Sequence, residues 1–419
     1  MFINKKAAFA TLGCKVNRYE TEGIKNDFIN AGYEIVEFEE KADIYIINTC
    51  TVTSIADRKS RNLIRRAKRI SPNSIVVATG CYSQTNSTDL EKMDGLDYII
   101  GNLEKYSILD IIRGDKRVQV GNIFENRKFD NRYTNEIENC RAYVKIQDGC
   151  DNFCSYCKIP YGRGKKRSRK IVDIVNEVKK LSKLGYREIV LIGINLSAYG
   201  EDLDEDIDLC DAIISVKDIG GIERIRLGSI YPDKIDRRLI EIILKNENVM
   251  PHLHISMQSG DSKILKLMNR KYSAEQAEEI LKSIKQAIPD IGLTADFIVG
   301  FPNESGENFD NTFDFIERVG FSDIHIFKYS DRENTEATRF INKVSPELKK
   351  IRAEKMASLK NSLRQSFFKE QVKKQHKILI EEIVGNKAVG YTENYIKTYV
   401  TDYNGSVNEI IKVEVLSLN

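Results

Sequence analysis

The sequence predicts an α/β protein of three parts: an N-terminal open parallel α/β domain, a central partial barrel of repeated βα units, and a small antiparallel β-barrel at the C-terminus. Three observations predict it. From Lys6 to about Arg113, apolar runs alternate with helix-period segments. From Ala142 to about Phe327, further apolar runs are again separated by helix-period segments, the pattern of repeated βα units. After about Lys374 only short β-rich runs remain, punctuated by Gly and Asn. The boundaries fall at 1–115, 140–373 and 374–419, with 116–139 as a connection; 419 residues, 41% of them hydrophobic, supply core for two or three domains.

In the first domain the strand candidates are Ala7–Leu12, Ile44–Asn48, Ile75–Thr79 and Tyr98–Ile100. Three of the four are followed within one or two residues by a cysteine: Cys14, Cys50 and Cys81. Ligand sites in open parallel sheets lie outside the carboxyl ends of the strands, so these thiols can converge although they are distant in sequence. Unrelated small core residues would instead fall within the strands. The next helix, Ser54 to Ile70, sets Arg58, Lys59, Arg61, Arg65, Arg66, Lys68 and Arg69 around an apolar stripe of Ile55, Leu63, Ala67 and Ile70. Its charge is either a solvated face or, following Cys50 so closely, a phosphate-contacting one. Lys116 to Asn139 is polar and weakly patterned, as a connection should be.

In the central part the strand candidates are Ala142–Ile146, Glu188–Ile192, Arg224–Leu227, His252–Ile255, Thr294–Val299 and Asp323–Phe327. Helices are predicted over Val172–Leu184, Ile207–Val216, Lys234–Leu244, Ala274–Ala287 and Phe309–Val319. Chemistry in such units belongs at the carboxyl ends of the strands. Gly193-Ile194-Asn195, Gly228-Ser229, Gln258-Ser259-Gly260 and Gly300-Phe301-Pro302 stand there, where small residues let a ligand approach the backbone. Gly and Pro also simply punctuate loops. His252 and His254 share a strand face and read as two ordinary semi-buried side chains rather than a metal pair. His325 and His376 are expected to have no ligand-like neighbours, and Cys140 and Cys210 stand alone.

Ser345 to Lys374 is a long charged helix with Leu348, Ile351, Met356, Leu359, Leu363 and Phe367 on one side, suited to docking. The runs after it, Lys377–Ile383, Ala388–Thr392, Tyr395–Thr401 and Ile410–Val415, form the small barrel. Tyr391, Tyr395 and Tyr399 with Lys387 and Lys397 suit single-stranded nucleic acid, though core packing also accounts for tyrosines.

The most informative stretch is Cys150-Asp151-Asn152-Phe153-Cys154-Ser155-Tyr156-Cys157, just past the first barrel strand. Three thiols in eight residues are poorly explained by packing and directly explained by metal ligation. Cubane iron–sulfur clusters are held by thiolates, and three leave one iron open to a small molecule. With Cys140 the alternative is a four-thiolate zinc site. A disulfide framework is a weaker reading, since eight Cys in 419 residues are too sparse for a stapled scaffold. The formal charge of +3, from 65 Lys+Arg against 62 Asp+Glu, does not announce nucleic acid, so any such claim rests on local patches. No apolar run is long enough to span a bilayer, and the N-terminal residues lack a signal-peptide pattern. A cytoplasmic, reducing setting is expected, with no membrane partner.

Taken with its surroundings, the CxxxCxxC cluster resembles the radical SAM superfamily, with Tyr156 at the aromatic position of its motif. The chain further resembles the methylthiotransferase family. Its N-terminal motifs are matched by Thr11-Leu12-Gly13-Cys14-Lys15-Val16-Asn17, Asn48-Thr49-Cys50-Thr51-Val52-Thr53 and Thr79-Gly80-Cys81. Its barrel motifs are matched by Gln147-Asp148-Gly149-Cys150, Pro160-Tyr161-Gly162-Arg163-Gly164, His254 to Gly260 and Met268-Asn269-Arg270. Gly390 to Tyr395 is similar to the TRAM domain. Residues 12–22 look most like the branch acting on tRNA position 37 bearing N6-threonylcarbamoyladenosine. Departures from the family pattern occur at Ile194, Gly228, Asn303 and Glu333-Asn334.

The resemblance implies a TIM-like partial (β/α)6 radical SAM barrel, OB-like packing of the TRAM domain, and two [4Fe–4S] clusters with S-adenosylmethionine (SAM). Cys150, Cys154 and Cys157 would hold the first cluster, where SAM is cleaved to a 5′-deoxyadenosyl radical. Cys14, Cys50 and Cys81 would hold the second, which carries the sulfur delivered to C2 of adenosine. Tyr156, Gly193, Asn195, Ser229, Gln258, Ser259 and Gly300 would contact SAM. Arg58, Arg65, Arg66, Arg163, Lys387, Tyr391 and Lys397 would contact RNA. Implied partners are a tRNA anticodon stem-loop, whose base must be splayed to be reached, and an electron donor such as a flavodoxin or ferredoxin. The alternatives are methylthiolation of isopentenyladenosine-37 or of a ribosomal-protein Asp, and, in a different class, a non-catalytic zinc-bearing RNA-binding protein.

Overall fold

The structure is a computed structural model of the 419-residue chain and describes residues 5–125, 128–133 and 140–417. The chain folds as two compact units. The first comprises 1–136, 147–169 and 330–338; the second comprises 137–146, 170–329 and 339–419. The Cys150–Cys157 loop therefore belongs with the N-terminal sheet, a grouping that linear domain boundaries do not convey.

The first unit is built on six parallel strands: β1 (Lys6–Thr11), β2 (Glu34–Val36), β3 (Ile44–Thr49), β4 (Ile75–Gly80), β5 (Tyr98–Ile100) and β6 (Val118–Gln119). They lie in the order β2-β1-β3-β4-β5-β6. Alternation along each strand supplies two apolar faces. Ala7, Ile44, Ile46 and Val77 pack with Ile24 and Phe28 of helix α1 (Lys15–Asn30). Ala8, Tyr45, Ile47, Val76 and Ala78 pack with Ile64 and Ala67 of α2 (Ser54–Ile70). The buried stripe of α2 thus runs through Ile64, while Ile55, expected on it, is 55% exposed. Thr53 caps this helix, its side chain accepting from the Ala56 amide at 3.1 Å. Strand β6 and a 3-10 turn at Ile123–Glu125 lie inside the expected connection 116–139, of which 126–127 and 134–139 fall outside the described residues. Two short helices complete the frame of the thiols, α3 (Cys81–Thr85) and α4 (Ile159–Arg163).

The second unit carries the barrel strands β7 (Arg141–Lys145), β8 (Glu188–Ile192), β9 (Arg224–Leu227), β10 (Ser229–Ile230), β11 (His252–Gln258), β12 (Gly292–Val299) and β13 (Asp323–Lys328). Every pairing is parallel, in the orders β9-β8-β7 and β10-β11-β12-β13, with Gly228 alone between β9 and β10. This is the partial (β/α)6 arrangement. Its covering helices are α5 (Ile171–Lys183), α6 (Leu209–Val216), α7 (Arg237–Lys245), α8 (Ala274–Ala287) and α9 (Gly306–Val319), which share one apolar core with the strands. The long helix α10 (Pro346–Gln371) buries Met356, Leu359 and Phe367, whereas Leu348 and Ile351 on its first turns are exposed. Strands β14 (Gln375–Val384), β15 (Lys387–Thr392), β16 (Lys397–Thr401) and β17 (Ile410–Glu414) form an antiparallel sheet ordered β16-β15-β14-β17.

Its core is small: Ile378, Ile380 and Ala388, packed by Val400, Ile411 and Val413. Much of its anchoring is polar. Arg226 donates to the carbonyls of Thr392 and Glu393, each at 2.7 Å, and Arg224 to that of Tyr391 at 3.0 Å. Glu188, 1% exposed, accepts from Arg224 at 3.0 Å and from Arg226 at 2.9 Å.

Candidate functional site

Strands β1, β3 and β4 are neighbours in register, Thr11 opposite Asn48, Asn48 opposite Thr79 and Thr49 opposite Gly80. Cys50 and Cys81 directly follow β3 and β4, and Cys14 follows β1 by two intervening residues, so three thiols leave one sheet edge side by side. Asn17 ties these ends together, donating to the carbonyls of Leu12 at 2.7 Å and Thr49 at 3.0 Å. Gly13 has φ +100°, and a Cβ added there would lie 2.9 Å from Cys50 Sγ. Only glycine leaves the thiol its space. Cys50 and Cys81 are buried and Cys14 is exposed. Burial pushes the Cys50 thiol up to about 12, with the neighbouring Cys81 and Cys14 thiols adding to the rise.

The second set lies on a loop closed by a two-residue antiparallel ladder, Gln147 opposite Ser168 and Asp148 opposite Arg167. The Cys150 amide donates to the Gly164 carbonyl at 3.0 Å, and the Cys157 amide to that of Cys154 at 2.9 Å. The Ile159 amide points at Cys157 Sγ, 3.4 Å away. Cys150 and Cys154 are buried, while Cys157 and Tyr156 are half-buried. The described cysteines are all free thiols. Both sets fall in the same compact unit.

Two groups of three reduced thiols, each on a rigid edge or a closed loop, fit the donor set of a three-thiolate cubane site. The four-thiolate zinc alternative does not fit. Cys140 precedes the amino end of β7 with its Sγ 3.9 Å from the Glu381 carbonyl oxygen, whereas the Cys150 loop follows the carboxyl end of that strand.

Two family models match the chain: one described as Uncharacterized protein family UPF0004 over residues 6–101, and the Radical SAM superfamily over residues 144–316. A protein of Aquifex aeolicus (strain VF5), "Threonylcarbamoyladenosine tRNA methylthiotransferase MtaB", is 42% identical over 415 residues, 97% of this chain and 99% of its own length. The chain belongs to the methylthiotransferase family of radical SAM proteins. A second relative of the same description, from Bacillus subtilis (strain 168), is 38% identical over 98% of this chain and 93% of its own. A "tRNA-2-methylthio-N(6)-dimethylallyladenosine synthase" of Thermoanaerobacter pseudethanolicus (strain ATCC 33223 / 39E) is 37% identical over 84% of this chain and 77% of its own. The fold is shared with the radical S-adenosylmethionine methyltransferase TsrM of Kitasatospora setae, at TM-score 0.56 and 14% identity over 78% of this chain and 75% of that one. Methylthiotransferases of this family are transferases that use SAM and two [4Fe–4S] clusters.

Of the residues expected to contact SAM, Gly193, Asn195, Ser229, Gln258 and Gly300 stand at or just past the carboxyl ends of successive barrel strands. Ser259 likewise follows the carboxyl end of β11, but it is buried against α9. It is 1% exposed and bonded to Thr312 of α9 at 3.1 Å, with the Asp261 amide donating to it at 3.2 Å. A polar group on the same strands escapes the sequence. Asp296 Oδ1 lies 3.1 Å from His254 Nε2 and 3.3 Å from His325 Nδ1. Burial alone would raise this carboxyl, but hydrogen bonds from the two imidazoles outweigh it and hold Asp296 well below the usual range. His325 therefore does have ligand-like neighbours, and so does His376, 3.3 Å from Glu393. Each pair is brought together by strand pairing, which leaves no trace at the level of sequence spacing.

Of the residues expected to contact RNA, Arg58, Arg65, Arg66, Lys387 and Lys397 are exposed. Arg163 is not. It is 1% exposed and committed to Cys81 and Glu20. Tyr391 is half-buried in a stack with Tyr395, ring centroids 4.9 Å apart, under the Arg141 guanidinium. Tyr399, 52% exposed beside Lys397, is the accessible aromatic of that sheet.

Proposed function

We propose that this chain adds a methylthio group to C2 of N6-threonylcarbamoyladenosine at position 37 of tRNA. The observation that carries the reading is the pair of three-thiol sites, one on the ends of adjacent parallel strands and one on the Cys150–Cys157 loop. Over nearly the whole chain, the Aquifex aeolicus relative named for threonylcarbamoyladenosine is 42% identical and that of Bacillus subtilis 38%, against 37% over 84% of the chain for the dimethylallyladenosine synthase of Thermoanaerobacter pseudethanolicus, which favours that branch.

Cys150, Cys154 and Cys157 would hold the cluster that binds SAM, and Cys14, Cys50 and Cys81 the second. When bound, these groups supply reductive cleavage of SAM and the sulfur that is transferred. The residues of the chain set the conditions for that chemistry. The Gly164 carbonyl and the Ile159 amide fix the first thiol loop, and Asn17 and Gly13 fix the second thiol set. Burial of Cys50, Cys81, Cys150 and Cys154 keeps water and oxidants from the sulfurs. At the strand ends of the barrel, Gly193, Asn195, Ser229, Gln258 and Gly300 line the SAM pocket in this reading, and Asp296, flanked by two imidazoles, offers a hydrogen-bond acceptor. Arg58, Arg65 and Arg66 on α2 and Lys387, Lys397 and Tyr399 on the C-terminal sheet supply cations and a stacking face for a single-stranded anticodon loop. A flavodoxin or ferredoxin would deliver electrons in the cytoplasm; among the described residues no helix is long and apolar enough to cross a membrane.

Nucleoside mass spectrometry of tRNA from cells with and without this protein tests the reading. Loss of the 2-methylthio group from threonylcarbamoyladenosine is expected; loss from isopentenyladenosine alone refutes the branch. Cys150→Ala should abolish both 5′-deoxyadenosine and modified nucleoside. Cys14→Ala should retain some SAM cleavage without methylthiolation, and modified product from that variant would refute the second-cluster assignment.

A further inference from the structure

Arg163 is among the largest fully buried side chains of the protein. Its Nε donates to Cys81 Sγ at 3.2 Å, its Nη1 to Glu20 at 2.6 Å and to Asp148 at 3.5 Å, and its Nη2 to Asn17 Oδ1. Asn17 and Glu20 sit on the first turns of α1, immediately after Cys14. The guanidinium is therefore held in one orientation by groups that flank two of the three thiols, and it is anchored six residues beyond Cys157 on the other thiol loop.

Charge balance around it draws in sulfur. Lys105, 3% exposed, pairs with Glu20 at 2.6 Å, and Arg167, 5% exposed, pairs with Asp148 at 3.3 Å. Among the described residues, Lys105, Arg163 and Arg167 are thus three buried cations that pair with the carboxylates of Glu20 and Asp148. Arginine does not deprotonate in proteins, and an unbalanced buried charge is costly. Among the described residues, the other group hydrogen-bonded to Arg163 that can carry negative charge is the Cys81 sulfur. Asn102 adds a second donor, its Nδ2 3.8 Å from the same Sγ and 2.5 Å from the Gly162 carbonyl oxygen. At Gly162 an added Cβ would come within 3.3 Å of Cys81 Cβ, so the backbone carrying Arg163 packs tightly against the Cys81 residue.

We propose that Arg163 is a positioning residue for Cys81, and that its buried charge, offset by Glu20, sets the reduction potential of the cluster on Cys14, Cys50 and Cys81. The proposal rests on the assignment of those three thiols given above. Hydrogen bonds to the sulfurs and local net charge are among the determinants of iron–sulfur potentials, and groups behind the ligands orient them. Reduction adds one electron to the cluster. A guanidinium at a ligand sulfur stabilises the reduced form, and the carboxylate behind that guanidinium opposes it. Removing either should move the potential, in opposite directions.

The test uses the full chain carrying Cys150→Ala, Cys154→Ala and Cys157→Ala, so that iron can bind only at the other three thiols. It is reconstituted anaerobically, and its potential is read by redox titration followed by electron paramagnetic resonance. In that background Arg163→Met should shift the potential to more negative values and Glu20→Gln to more positive ones. Arg163→Lys, which keeps the charge and loses the planar fork, should lie between Arg163→Met and the parent. Unmoved potentials, or shifts of the same sign for Arg163→Met and Glu20→Gln, overturn the proposal. Should Arg163→Met not retain iron, Glu20→Gln decides alone, since it leaves Arg163 in place and an unmoved potential counts against it. A parent that binds no iron, rather than about four per chain, refutes the thiol assignment itself and the proposal with it.

Discussion

Arg332 hydrogen-bonds Asp57 at 2.5 Å and Thr51 at 2.7 Å, both partners lying just after Cys50. The pair is largely shielded from water, with side-chain exposures of 6% and 12%. Two further bonds hold the same segment. The Ser54 amide donates to Ser330 at 3.2 Å, and the Ala337 amide donates to the Ser155 carbonyl, in the other thiol loop, at 2.8 Å. Residues 330–338 thus lace both thiol loops from a point far along the chain. Arg332→Met should lower stability by about 3–5 kcal/mol, the usual cost of stranding one member of a buried pair. Asp57→Leu added to it should recover part of that loss. Thermal denaturation of the single and double variants measures both effects.

Gly13→Ala tests the geometry of the sheet-edge thiols. The positive φ costs a non-glycine residue about 1–2 kcal/mol, and the new methyl group would sit 2.9 Å from Cys50 Sγ. The expected result is a protein that folds but retains about half the iron of the parent after reconstitution, the share assigned to Cys150, Cys154 and Cys157. Full iron content would show that the loop can relax around the methyl group.

Glu188 is the hub that fastens the C-terminal sheet. Arg224 and Arg226 clasp it and reach past it to the backbone carbonyls of Tyr391, Thr392 and Glu393. Tyr395 stacks on His252, ring centroids 4.5 Å apart, on one side of the same joint. Glu188→Gln removes the buried carboxylate that pairs with Arg224 and Arg226 and should cost about 3–5 kcal/mol. Limited proteolysis reads it: cleavage around residues 372–375, at the start of β14, should come earlier than in the parent.

Tyr391 and Tyr399 lie eight residues apart and should respond differently. Tyr399→Ala should weaken binding of an anticodon stem-loop by about tenfold, within the range for one lost stacking contact, without a change in melting temperature. Tyr391→Ala should lower the melting temperature, because its ring is part of the Arg141–Tyr395 joint. Filter binding and a melting curve on each variant separate the two roles.

The strands that carry thiols are legible in the sequence because two signals coincide at each: an apolar run and a cysteine just past its end. Strands β2 and β6 are not, since three and two residues hold too little pattern to be distinguished from loop. Helix ends can be read closely where a cap residue stands, as at Thr53 before Ser54. The exposed residues of α2 are legible from its charge, and three of the four expected stripe residues, Leu63, Ala67 and Ile70, do pack on the sheet; Ile55 instead lies exposed at the first turn, and the fully buried Ile64 is not picked out by the spacing. Arg163 illustrates the deeper limit. A lone arginine in a Gly-rich loop reads as a surface contact, and only the fold brings Glu20 and Cys81 to it from 143 and 82 residues away. The group of His254, Asp296 and His325 is hidden for the same reason, since its members meet only through the pairing of three parallel strands.

The parallel order of the strands also divides each α/β layer into a working edge and an idle one. The thiols and the Gly-rich turns crowd the carboxyl ends, so the turns that lead into the amino ends carry no such duty. Gly32, before β2, and Gly185, before β8, have nothing within 4 Å of the place where a side chain would begin. Both glycines hold a positive φ that a side chain would strain, and the Gly185 carbonyl accepts from Asn408 at 2.8 Å, so an insertion or an affinity tag is better placed beside Gly32, away from the thiol-bearing edge. The turn before β2 is the place where the chain can be handled and lengthened.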